Sequence, residues 1–226
     1  MTLKHEEETI RKDSTCGLHN MKEKNIILAA RTISIVFTPF YLPVLGLVAL
    51  FMLSYLNRLV PWYYKLTVIM MVYLFTVLLP TLLIHLYRKY QGWTLHELGM
   101  KERRMVPYII SIVCYFACYY IMNLYHIPHF ISSILITALA IQIICALINV
   151  WWKISTHSAA IGGVTGALMS FALLFHFNPT WWLCLAILFA GLVGSSRIIL
   201  KQHTLSQVNV GFIVGLISAF YIISMI

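Results

Sequence analysis

The chain has 226 residues, of which 61% are hydrophobic and 10% charged. So few charges cannot keep the surface of a domain this size wet, which excludes a water-soluble globular enzyme and a nucleic-acid-binding domain. The net charge of +9 sets 16 Lys and Arg against 7 Asp and Glu, and every acid (Glu6, Glu7, Glu8, Asp13, Glu23, Glu97, Glu102) precedes residue 103. Any chemistry in the C-terminal half must therefore run on His, Arg, Lys and hydroxyls. Carboxylate-held Mg²⁺ and paired-carboxylate acid/base catalysis are excluded there, and no metal or cofactor is expected.

Residues 1–24 are hydrophilic and lack a short apolar core with a cleavage site, so they read as a solvated tail. The apolar run 25–56 is too long for one straight crossing and contains "TPFYLP". It is expected to hold a kinked or interfacial segment and then one span, with a re-entrant hairpin as the alternative. A second span is placed near 65–88, followed by the longest polar interlude, where Thr94-x-x-Glu97 reads as a capping box opening a surface helix. Further spans are expected near 107–125, 130–152, 157–177 and 180–196, and a last one from about 207. The six tryptophans fall near span ends, as an aromatic belt places them. The five cysteines show no CxxC spacing, and four lie in apolar runs, which suits packing thiols. The fold expected is all-α: a polytopic transmembrane helical bundle of about six to seven spans, forming one domain over residues 25–226.

Counting one crossing for residues 25–56 puts the tail, the 89–106 interlude and the junctions at 153–157 and 196–206 on one membrane face. Basic clusters thus converge on one side. An anion site is basic wherever it faces, so the identity of that side stays open. At the first junction, "KISTHSAAIGGVTG", His157 opens a helix behind Ser155 and Thr156, whose backbone N–H groups would be free to favour an anion. After it, Ser158, Gly162 and Gly166 recur every fourth residue. At the second junction, "GSSRIILKQHTLSQ", His203 is followed at the same spacing by Gln207, Gly211 and Gly215. Small residues so spaced let two membrane helices approach closely, which would carry the two histidines to one ligand. His85, His126, His129 and His176 stand at span ends with no motif around them, and Lys153 and Lys201 read as interfacial anchors.

In these residues the chain resembles the type 2 phosphatidic acid phosphatase family of membrane phosphatases. The family's third motif, S-R-x5-H-x3-D, is matched by Ser196, Arg197 and His203; the second, P-S-G-H, by Ser155 and His157. The first, K-x6-R-P, survives loosely in "MKERRMVP", where Arg103 or Arg104 would serve as its arginine and Lys101 is a weak substitute for its lysine. The resemblance covers about residues 100–215. It implies that His203 attacks phosphorus to form a phosphohistidine, that His157 protonates the departing oxygen, and that Arg197, Arg104, Arg103, Lys101 and Ser155 hold the phosphate. Gln207 replaces the usual aspartate, as in the glucose-6-phosphatase branch, and would orient His203 through its carbonyl. The function implied is a metal-independent phosphatase acting on a membrane lipid phosphate or polyprenyl diphosphate. A catalytically idle relative that binds a headgroup or scaffolds a partner is the alternative. An anion transporter is disfavoured by the lack of an inverted repeat. The chain reads as an integral, multi-pass protein of a cell membrane, with no nucleic-acid partner and an oligomeric state that the sequence leaves open.

Overall fold

The computed structural model describes residues 23–52, 58, 60–92 and 105–225. Its elements are all helical: α1 over residues 23–36, α2 Leu42–Met52, α3 Trp62–Gln91, α4 Met105–Leu124, α5 His129–Trp151, α6 Thr156–Phe175, α7 Thr180–Ile199 and α8 Leu205–Ser224. Helices α3 to α8 are six segments long and apolar enough to cross a membrane. Twenty residues rise ~30 Å, the thickness of the hydrocarbon layer. The outer faces are apolar as well: Leu66, Phe116, Ile187, Ile213 and Ile217 are exposed, a pattern suited to lipid contact and not to water. This is a multi-pass membrane protein.

The long run at 25–56 divides where its prolines predict. Helix α1 ends before Thr38-Pro39, and α2 restarts with Pro43 in its first turn, where a missing N–H costs nothing. With 11 residues, α2 reaches ~16 Å, about half a crossing, so no single described helix of this run is a full span. Phe37, in the break, packs on Phe189 of α7 with ring centroids 5.1 Å apart. In α3, Pro80 lacks a donor, and the helix widens ahead of it into a π turn over Leu74–Leu78, with the Leu79 amide reaching back to Leu74. The expected surface helix at Thr94–Glu97 lies outside the described residues.

Helices α5 and α6 are the most enclosed, and the rest surround them. The core joins Leu47, Val72, Cys118, Met122, Leu135 and Phe171, drawn from α2 to α6. Cys114 and Cys118 are free thiols packed inside it, and Cys145 is a free thiol buried in a smaller cluster with Ile141, Ile154 and Ala159, as their apolar setting predicts; Cys184 is exposed.

The pair that matters for the site is α6 and α8, the most intimate contact in the molecule. Ser155 at the head of α6 donates its amide to the Gln207 carbonyl at 3.3 Å, and the Ser170 hydroxyl near the foot donates to the Phe220 carbonyl at 2.8 Å. Their heads meet and their feet meet, so the two helices run parallel. The glycine rows explain the closeness: a Cβ on Gly162 or Gly166 would fall on the carbonyl oxygens of Phe212 and Leu216, and one on Gly211 or Gly215 on those of Ser155 and Ala159.

Candidate active site

Parallel packing brings the N-termini of α6 and α8, and with them His157 and His203, to the same end of the bundle. Ser155 caps α6, its hydroxyl accepting from the Ser158 amide at 3.4 Å and sharing a 2.9 Å bond with the Ser158 hydroxyl. Ser155 is fully enclosed, and its amide is engaged by Gln207, so the expectation that this N–H stands free does not hold. What the geometry gives Ser155 is a structural part: it starts the helix and ties it to its neighbour. The amides of Thr156 and His157 are the two of the first turn that these bonds leave over.

The second junction is shorter than the sequence suggests, because α7 continues to Ile199 and Arg197 stands in its last turn. A cation there faces the negative end of the helix dipole. The chain then turns back on itself. Lys201 takes a left-handed conformation, φ 52°, and the amides of Gln202 and His203 both donate to the Arg197 carbonyl, at 3.1 and 3.4 Å. His203 is thus carried over the residue whose side chain is expected to hold the phosphate.

Thr204 caps α8 in a reciprocal box. Its hydroxyl accepts from the Gln207 amide at 3.4 Å, and Gln207 Oε1 accepts from the Thr204 amide at 3.2 Å. The same Oε1 lies 3.2 Å from His203 Nδ1. An amide oxygen has no hydrogen to give and can only accept from the ring, so Nδ1 carries a proton and, in the neutral imidazole, Nε2 keeps its lone pair. One side chain caps the helix and fixes the tautomer.

Arg197 and His203 are the charged or titratable side chains close enough to act electrostatically on His157 among the described residues, and the Ser34 main chain adjoins its ring. His157 Nδ1 and Arg197 Nε are enclosed without hydrogen-bond partners. Arg197 Nη1 donates to the Ser34 hydroxyl at 2.6 Å. His157, Arg197, His203 and Gln207 are therefore brought together. Lys101, Arg103 and Arg104 lie outside the described residues.

Ser34 adjoins this candidate site, and the sequence reading missed it. Its one local signal is the pair Ala30 and Ser34, small residues four apart in an apolar run, the spacing of a close helix contact. A cavity of ≈ 360 Å³ begins beside Thr156 and follows α6 down through Ala160, Val164 and Phe171. Thr156 to Phe171 is ~22 Å along a helix. Leu42 and Ile141 contribute to its walls, which are almost wholly apolar, and Gln142 is among the few polar side chains on them.

No curated protein and no solved structure matches the chain at a significant level. The family model that does match begins after the loose first motif and covers both histidines, Arg197 and Gln207. Residues 150–226, about the last third of the chain, match the model of the PAP2 superfamily.

Proposed function

We propose that this protein is a phosphatase that hydrolyses a lipid phosphate or polyprenyl diphosphate through a phosphohistidine on His203. The match of residues 150–226 to the PAP2 superfamily supports phosphatase activity. The observation that carries the finer reading is the bond from His203 Nδ1 to Gln207 Oε1, which in the neutral imidazole leaves the Nε2 lone pair for attack. Nε2 attacks phosphorus while the bond to the leaving oxygen breaks, and His157 gives that oxygen its proton. Arg197 stabilises the charge on the equatorial oxygens, aided by Arg103, Arg104 and Lys101. Water then attacks the phosphohistidine with His157 taking its proton, which returns the imidazole and releases phosphate. The apolar cavity beside Thr156 supports a substrate with a hydrocarbon tail. Its volume lies in the range of small-molecule sites, and its length suits an extended chain.

The test is phosphate release by the purified protein in detergent from lysophosphatidate, phosphatidate, a prenyl diphosphate and a tail-less phosphate ester, with and without EDTA. Tailed substrates are expected to turn over at least about tenfold faster in kcat/KM than the tail-less ester, with no effect of EDTA. Absence of release from every substrate would leave the second reading, an idle headgroup-binding relative. That reading is favoured by the neutral Gln207, which lends no charge to a histidine cation.

Gln207 separates the two. Gln207→Leu is expected to lower kcat/KM by about ten- to a hundredfold, because the imidazole loses its acceptor, and to lower stability by ~1 kcal/mol as the cap goes. Gln207→Asp keeps an acceptor and adds charge, so activity is expected to hold or rise. Equal rates for all three proteins would put Gln207 outside the chemistry.

The shared face of tail and site is tested by cysteine labelling in intact cells at Thr2 and Thr204, in a background without native cysteines. Equal accessibility is expected. Opposite accessibility would support the hairpin over one crossing of residues 25–56.

A further inference from the structure

Of the described residues of α1, only Ala30 and Ser34 are buried, and Ile26, Ile27, Leu28, Ile35 and Val36 point outward. A helix held by so narrow a stripe is not placed there by core burial. What it brings inward is one hydroxyl, and that hydroxyl meets Arg197 Nη1 at 2.6 Å while its own main chain adjoins His157.

We propose that Ser34 is a positioning residue of the phosphatase site, fixing the plane of the Arg197 guanidinium, so that α1, which lies outside the matched residues 150–226, is part of the working site. This rests on the phosphatase reading above. A guanidinium carried on three methylenes has many orientations. Its Nε is enclosed with no partner, so among the described residues it is the Ser34 bond that selects among them. In apolar surroundings a bond to a charged donor is strong and directional. It uses an oxygen lone pair of Ser34 and one of the five guanidinium N–H groups, leaving others to meet a phosphate. The Ser34 O–H proton also remains to be donated.

The experiment uses the full-length protein in detergent with two readouts: kcat/KM for phosphate release, and the rise in Tm produced by vanadate, an oxyanion that mimics the phosphoryl group in flight. Ser34→Ala and the nearly isosteric Ser34→Cys, a poor acceptor, are expected to lose about ten- to a hundredfold in kcat/KM and most of the vanadate shift. Ser34→Thr keeps the hydroxyl and is expected to retain both. Thr32→Val, on the exposed side of the same helix, controls for α1 itself and is expected to change neither. A purely structural Ser34 would lower the vanadate-free Tm and leave the vanadate shift intact. That result overturns the proposal, as does wild-type behaviour of both Ala and Cys variants alongside an active parent. A parent that releases no phosphate and ignores vanadate defeats the phosphatase reading, and the role of Ser34 with it.

Discussion

His203→Ala is expected to abolish phosphate release, by about 10⁴-fold or more, because no other described group replaces the nucleophile. His157→Ala is expected to behave differently. A general acid matters in proportion to how badly the leaving oxygen needs a proton, so its loss should cost about 10²–10⁴-fold on an alkyl phosphate. On an aryl ester such as p-nitrophenyl phosphate, whose phenolate departs unaided, the loss should be small. The two variants thus have separate signatures on one pair of substrates. Trapping adds a third measurement: quenched in alkaline SDS, which preserves the acid-labile P–N bond, His157→Ala should accumulate more label from ³²P-substrate on the protein than His203→Ala, which should hold none. Wild-type release by purified His203→Ala would end the phosphohistidine mechanism. Uniform losses for His157→Ala on both esters would remove it from the role of proton donor.

The parts of this site that were legible in the sequence are those that a single helix encodes. A histidine heading each helix and small residues at every fourth position after it are local patterns with local causes, and from them the α6–α8 pairing and the meeting of His157 with His203 follow. The bond between Gln207 and His203 was legible for the same reason: it spans one helical turn. Ser34 was not, since its partner Arg197 is 163 residues away and no periodicity links α1 to α7. Nor was the engagement of the Ser155 amide by Gln207, because which donor a helix terminus leaves open depends on what packs over it. The end of α7 was misplaced by three residues for another reason. Arg197 looks like a boundary by hydropathy, yet a cation is welcome in the last turn of a helix, and the helix runs through it to Ile199. Hydropathy also gave residues 25–56 one continuous signal, where two prolines in fact divide its described part into two helices, neither long enough there to cross alone.

Gly215→Ala is expected to be among the most damaging single-methyl changes in the chain. The added Cβ would overlap the carbonyl oxygen of Ala159, with the Gly163 amide also in reach. Both are backbone, which cannot rotate aside as a side chain does, so α6 and α8 must separate. The rest of the interface resists that separation, because Gly162 and Gly166 hold the same close approach to Phe212 and Leu216. Overpacking of this kind costs about 1–3 kcal/mol. Parting the helices would also stretch the 3.3 Å bond from Ser155 to Gln207 and move His157 from His203, so activity should fall by about 10²-fold, more than stability alone requires. Gly163→Ala is the intermediate case, for its Cβ would meet the Ile141 Cδ1 methyl, a side-chain end that can yield. Gly191→Ala is the control. Nothing lies within 4 Å of its Cβ, and alanine is the better helix former by ~1 kcal/mol, so it should be neutral or slightly stabilising. The order of Tm in detergent should therefore be Gly191→Ala, Gly163→Ala, Gly215→Ala from highest to lowest, with phosphate release ranked the same way. A Gly215→Ala protein as stable and as active as the parent would mean that the two helices do not approach as closely as their glycine rows allow.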